Sequence, residues 1–240
     1  MNEIRYGRRW ASWQWVTGIW LTAVVYIFLA GWLGLRLLAG FMGWGGGVTE
    51  QIQHAAPSLS TLFVRWDSGY YSAIAEHGYS ASGAERAFFP LYPLLVRWLS
   101  RVNGLSIWWN GLILSVTAFG AASAIFYAWV RCDHSRTVAL LATALLCFSP
   151  VSFYLVAFYA EPLFLAVGLF GLYCARRGWF LASGIGIALA SATRPTAFLL
   201  GVAYVIEILL QRPLSARAWV MAIAGALLAP LGALAYFNWV

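Results

Sequence analysis

The sequence predicts an all-α integral membrane protein: about seven transmembrane helices, with a long extracytoplasmic first loop that carries interfacial helices. Three observations support this fold class. Of the 240 residues, 62% are hydrophobic and 10% charged, against about a quarter charged in a soluble domain. The apolar residues gather into runs near the roughly 20 that one bilayer crossing needs. The cations, all Arg and no Lys, sit singly or in small groups between those runs, as orienting charges in membrane loops do. A formal net charge of +7 spread in this way builds no basic patch, so nucleic acid is not an expected partner.

The first span covers residues 16–38 and follows Arg5, Arg8 and Arg9. It is longer than the apolar core of a signal peptide, about 7–15 residues, and is read as retained. Gly43-Trp44-Gly45-Gly46-Gly47 then breaks any helix; with no Lys-Ser/Thr after it and no strand before it, it is a linker rather than a phosphate loop. Residues 42–106 form the longest stretch without a span. Within it, Pro57-Ser58-Leu59-Ser60 and Ala81-Ser82-Gly83 mark helix boundaries. Leu62, Trp66, Tyr70 and Ala73 recur at helical spacing between those marks and predict an amphipathic interfacial helix. A second helix is expected over 89–102, with Pro90 and Pro93 near its start.

The second span covers 108–130. A third, from 138 to 148, meets Ser149-Pro150, and a fourth runs from Glu161-Pro162 to residue 175. The fifth, 179–193, is rich in Ala182, Ser183, Gly184, Gly186, Ala188 and Ala190, a composition for close helix packing. Arg194-Pro195-Thr196 breaks the chain before a short sixth span over 197–210, and a seventh starts at 218. The chain is thus a single polytopic membrane domain over 1–240, with 42–106 as the loop and 107–240 holding helices two to seven.

Alternating the sides places Arg5, Arg8, Arg9, Arg131, Arg136, Arg176, Arg177, Arg212 and Arg217 on one face. The positive-inside tendency makes that face, and the N-terminus, cytoplasmic. The loop with Asp67, the turn with Glu161 and the turn with Arg194 then share the opposite, extracytoplasmic face. Span assignment did not require that co-location, and it marks a candidate site.

Each of these residues has a plainer reading. Asp67, between Trp66 and the pair Tyr70 and Tyr71, is an acid in an apolar chain, which calls for a use or a partner. It serves chemistry, pairs with Arg65, or caps a local turn. Glu161 either belongs to a site or is a first-turn acid favoured by the helix dipole. Arg194 either snorkels to the interface or offers its fork of donors to an anionic headgroup. Glu207, near Arg212 on the other face, reads as structural. Cys132, Cys147 and Cys174, like His54, His77 and His134, follow no metal-ligand spacing, so no metal site is predicted.

Three ordered blocks carry a resemblance. Trp66-Asp67, Tyr71, Ile74-Ala75 and Gly78-Tyr79, followed by Ala87-Phe88-Phe89-Pro90-Leu91-Tyr92-Pro93, form the first. Ser149-Pro150 through Phe158-Tyr159-Ala160-Glu161-Pro162-Leu163-Phe164 form the second, and Ala192-Thr193-Arg194-Pro195 the third. Together they resemble the PIG-V-like mannosyltransferases, the family of the enzyme that adds the second mannose in GPI-anchor synthesis, with its bacterial relatives. The resemblance covers most of residues 65–200. It implies a GT-C-like architecture, a polyprenyl- or dolichyl-phosphate sugar donor, and Asp67 as the family's acid. In the second block the acid is kept as Glu161 while the family's flanking Ser residues are Ala160 and Pro162. After Arg194 stands Pro195-Thr196-Ala197 in place of a polar-Gly pattern. Family members usually have more C-terminal spans, so the resemblance makes this chain either a truncated or a minimal form.

The expected reaction is an inverting glycosyl transfer at the extracytoplasmic membrane surface, with mannose as the sugar and an acceptor that stays open. Asp67 acts as base; Arg194, with Arg65 and Arg97 as helpers, holds the donor phosphate. Glu161, Trp66, Tyr70, Tyr71, Phe89 and Tyr92 line the substrate pocket. No cofactor is expected and the chemistry requires no metal, while a divalent ion stays open. Partners are membrane lipids, the lipid-linked donor, the acceptor and, in one alternative, another subunit. The broken spans at Pro150, Pro162 and Pro195 also fit a transporter or lipid flippase, and a non-catalytic partner subunit is the third reading. In a prokaryote the location is the plasma membrane.

Overall fold

The computed structural model describes residues 3–38, 62–80, 83–211 and 214–239, and every regular element among them is a helix. The long α1 (Glu3–Leu38) leads to α2 (Ser68–His77), a 3₁₀ turn at Ala84–Ala87 and α3 (Leu91–Asn103). Then follow α4 (Ile107–Val130), α5 (Arg136–Cys147), a 3₁₀ turn at Pro150–Leu155 and α6 (Glu161–Arg176). The last elements are α7 (Phe180–Ser191), α8 (Phe198–Leu210), α9 (Ala216–Leu228) and α10 (Leu231–Trp239). The Gly43–Gly47 linker, the boundary at residues 57–60, and Ala81-Ser82 lie outside the described residues.

Starts and stops follow local chemistry. Ser106, Ser135 and Ser215 accept from the backbone N–H three residues on and so cap α4, α5 and α9. Proline opens the 3₁₀ turns at residues 150 and 195, where a missing N–H breaks no helical bond. Among the described residues, three helical stretches are long and apolar enough to cross a membrane: Ser12–Leu37, Ile107–Val130 and Ala216–Asn238. The other apolar runs make shorter helices, among them α5 and α7 of 12 residues each.

The interfacial helix differs from expectation. Periodicity from Leu62 to Ala73 predicts one helix through Trp66, but α2 begins only at Ser68. Trp66 has φ 51°, the one positive value outside glycine among the described residues, and a helix does not run through a left-handed residue. The expected helix over 89–102 does form, as α3.

Two apolar clusters organise the interior. The larger joins α1, α2, α3 and α4 to the segment before α6, around Phe63, Tyr71, Tyr92, Phe119 and Phe158. The smaller ties α7, α8 and α9 through Phe180, Ile187, Tyr204 and Ala222. The small residues of α7 serve close packing: a Cβ on Gly184 would lie 2.5 Å from Gly225 Cα, and one on Gly186 would lie 2.9 Å from Gly171 Cα. Outward faces stay apolar, as at Leu141 and Leu145 of α5 and Leu199 and Val202 of α8, the surface a hydrocarbon solvent calls for.

Polar contacts collect at two ends. At one, Arg176 bridges Asp133 and Glu207, and Gln211 Nε2 donates to Glu207 Oε1 at 2.8 Å. Glu207 thus has the structural role expected, with Arg176 as its partner. At the other end the segments before α2, α3 and α6 meet the end of α7.

Candidate active site

The sequence blocks are joined by main-chain and side-chain hydrogen bonds. Phe158 N–H donates to Phe63 O at 2.9 Å, Ser68 Oγ donates to Phe158 O at 3.1 Å, and Tyr159 Oη donates to Arg65 O at 3.0 Å. Leu91 N–H reaches Ala192 O at 2.9 Å, and Arg194 pairs with Glu161. Asp67, Glu161 and Arg194, 127 residues apart from first to last by the numbering (194 minus 67), therefore sit in one region.

Asp67 occupies the N-cap position of α2, with helical φ and ψ of −60° and −21°, and its side chain makes no cap hydrogen bond. Nor does its carboxylate form an ion pair among the described residues. It stands partly exposed at the N-terminal end of α2. The turn ahead of it is strained: a bulky residue in the left-handed region costs about 1–2 kcal/mol. That turn leaves the Trp66 ring 49% exposed beside the acid.

Tyr71 is the node of the site. Its phenol is buried and senses Glu161, Arg194, Asp67 and Tyr159 together. Burial, reinforced by Glu161, pushes its pKa up, so the group stays neutral. Tyr159 is likewise held neutral, mainly by burial and then by the Asp67 charge. Burial pushes the Arg65 pKa down, with no exchange of roles: a guanidinium keeps its charge.

Glu161 opens α6, with Pro162 as the next residue. One carboxylate oxygen receives Arg194 Nη1; the other, Oε2, is buried with no hydrogen-bond partner among the described residues. Glu161 is thus a first-turn acid, as one reading had it, and also the partner of a cation. Beside it lies an apolar cavity of about 320 Å³, walled by Leu146, Val151, Tyr154, Leu155 and Leu165, with Glu161 as its charged edge.

Other expected residues go elsewhere. Arg97 donates from Nε to Ala75 O at 2.5 Å and from Nη2 to Ile74 O at 3.0 Å, satisfying carbonyls at the C-terminal end of α2. That is about 10 Å along the helix from Asp67, at 1.5 Å per residue. Tyr92 is fully buried, with Oη donating to Gly111 O at 2.9 Å and 2.8 Å from Ser115 Oγ. Phe89 is buried against Tyr236, ring centroids 4.4 Å apart. Both sit in packed interior rather than on an open wall. Tyr70 stacks on Phe88 at 4.7 Å and is half-buried.

Sequence reasoning did not single out Tyr159, Ser68 or Tyr236. Tyr159 adjoins Glu161 in the second block, and that adjacency was the signal available. Tyr236 donates to Arg86 O at 2.6 Å, tying α10 to the segment before α3; nothing in its apolar surroundings announces this.

A family profile described as Mannosyltransferase (PIG-V) matches residues 47–222. Among curated proteins, GPI mannosyltransferase 2 of Aspergillus fumigatus is 34% identical, over 65% of this chain and 35% of its own length. GPI alpha-1,6-mannosyltransferase 2 of Rattus norvegicus is 32% identical, over 62% of this chain and 31% of its own. The mouse protein of that name is 34% identical, over 54% of this chain and 28% of its own. The chain thus spans about a third of the length of the curated relatives it matches.

Proposed function

The chain belongs to the mannosyltransferase (PIG-V) family, and from that footing we propose that it transfers mannose from a polyprenyl-phosphate donor, with inversion, to an acceptor at the extracytoplasmic membrane surface. The observation that carries the reading is the carboxylate of Asp67. Among the described residues it makes no cap hydrogen bond and no ion pair, and it lies near a neutral Tyr71 that also senses the Glu161–Arg194 pair.

In the proposed step the acceptor hydroxyl oxygen attacks the anomeric carbon as the bond from that carbon to the phosphate oxygen breaks. Asp67 takes the hydroxyl proton, and the electron pair of the broken bond leaves with polyprenyl phosphate. General-base help of this kind contributes about 10²–10⁴-fold. Arg194, oriented by Glu161, offers its remaining N–H groups to the leaving phosphate, with Arg65 nearby as a second cation. The Trp66 ring provides an apolar face for the sugar, and the cavity walled by Leu146, Leu155 and Leu165 suits one prenyl chain. Arg97 positions α2 rather than touching substrate.

In the membrane we read the chain as one polytopic domain with its N-terminus cytoplasmic. The shorter helices α5 to α8 complete about seven crossings with the help of the elements that flank them. The acceptor is a lipid, glycan or protein. The GPI named for the relatives is one candidate, and the replaced residues around Glu161 leave others in play.

The test is transfer of radiolabelled mannose from polyprenyl-phosphate mannose in membrane vesicles carrying the protein. Asp67→Asn lowers the transfer rate by about 10²-fold or more while the protein still binds donor. Near-normal transfer by that variant removes Asp67 from the role of base.

A further inference from the structure

Trp66 holds a left-handed backbone with no glycine to relieve it, directly before Asp67. Such conformations persist where the surroundings over-determine them. Here the surroundings are residues 158 and 159, more than 90 positions further along the chain. Arg65 O, at the start of the turn, accepts both Ser68 N–H at 3.1 Å and Tyr159 Oη at 3.0 Å. Ser68 Oγ, just past the turn, donates to Phe158 O at 3.1 Å, and Phe158 N–H donates to Phe63 O at 2.9 Å. The turn is gripped on both sides.

Tyr159 is itself fixed. Its carbonyl accepts from Ser115 Oγ of α4 at 3.2 Å, and its ring meets Tyr154 edge-on at 5.5 Å. Its hydroxyl, bonded to Arg65 O, therefore couples the backbone directly before Trp66 to the bundle.

We infer that Tyr159 is a positioning residue for Asp67: its hydroxyl clamps the Trp66 turn and so sets where the carboxylate stands. This rests on the reading of Asp67 as the base. Phenylalanine at this position would keep the packing and lose the hydrogen bond to Arg65 O.

The experiment is a double-mutant cycle between Tyr159→Phe and Asp67→Asn, read as single-turnover mannose transfer from polyprenyl-phosphate mannose in vesicles. Thermal unfolding in detergent accompanies each variant. Tyr159→Phe lowers kcat on the order of tenfold with little change in donor KM, as expected for a misplaced catalytic group. In the Asp67→Asn background the same change costs less than twofold, because there is no base left to misplace. Unfolding temperatures of the Tyr159→Phe variant stay near that of the parent. Equal fold-losses in both backgrounds make Tyr159 a merely structural residue and overturn the inference. No loss in either background overturns it as well. If Asp67→Asn itself transfers normally, the reading beneath it fails too, and that result is visible without the tyrosine variant.

Discussion

Arg194 illustrates how one side chain answers two demands. Its Nη1 is held by Glu161, and its other N–H groups make no hydrogen bond among the described residues. A buried or half-buried ion pair is weak grounds for a stabilising role, since desolvation offsets much of the attraction. In the proposed mechanism the donors that Glu161 leaves over receive a second anion, the donor phosphate. Arg194→Ala is therefore expected to lower kcat/KM for the lipid-phosphate donor by about 10²–10³-fold. Arg194→Lys, a point charge without the fork, recovers only part of that loss. Steady-state transfer assays at varied donor concentration check both; a lysine variant with parental kcat/KM would show that charge alone suffices. At this scale Asp67, Glu161 and Arg194 could be picked out because charged residues are rare in the chain: Glu161 and Arg194 stand at span boundaries and Asp67 among aromatics in the long loop. Arg97 was equally conspicuous, yet its work is to meet the carbonyls of Ile74 and Ala75. A sequence shows that a cation is present, not which carbonyls the fold leaves open beside it.

Helices were legible where composition acts alone and less so where the backbone is forced. The run over 108–130 forms α4 within a residue of expectation, capped by Ser106. The helix expected through Trp66 does not form, because hydrogen bonds from residues 158 and 159 hold a turn whose left-handed residue is a tryptophan rather than a Gly, Asn or Asp. The small residues of α7 were read as packing residues, and the structure gives their neighbours. Gly184 faces Gly225 of α9, and no side chain fits between them. Gly184→Val is expected to destabilise the bundle by about 1–3 kcal/mol or more, the usual effect of overpacking. In α1, no atom of the described residues outside the local helix backbone and chain neighbours lies within 4 Å of where a Cβ on Gly34 would stand. Gly34→Ala replaces a poor helix former by a good one and is expected to stabilise by up to about 1 kcal/mol. Thermal unfolding of the two purified variants in one detergent compares them directly, and a Gly184→Val protein as stable as its parent would mean that α7 and α9 do not approach in this way.

Across the whole molecule, the two polar ends give the fold its direction. One holds Asp67, Glu161 and Arg194; the other holds Asp133, Arg176 and Glu207, with Cys132 beside them. An enzyme that draws a sugar from a lipid on one side keeps these ends on opposite faces at all times, whereas a transporter exposes its central site to each face in turn. Native Cys132 is partly exposed, while Cys147 and Cys174 are buried, so the chain carries its own reporter for one end. Ser80→Cys supplies a reporter for the other, at an exposed position between α2 and α3. In sealed, oriented vesicles a membrane-impermeant maleimide should label the new cysteine from the extracytoplasmic side and reach Cys132 only after the membrane is opened. Adding donor should leave that pattern as it is. Labelling of both from one side would break the orientation drawn from the Arg-rich loops, and accessibility that alternates with donor would favour transport over transfer.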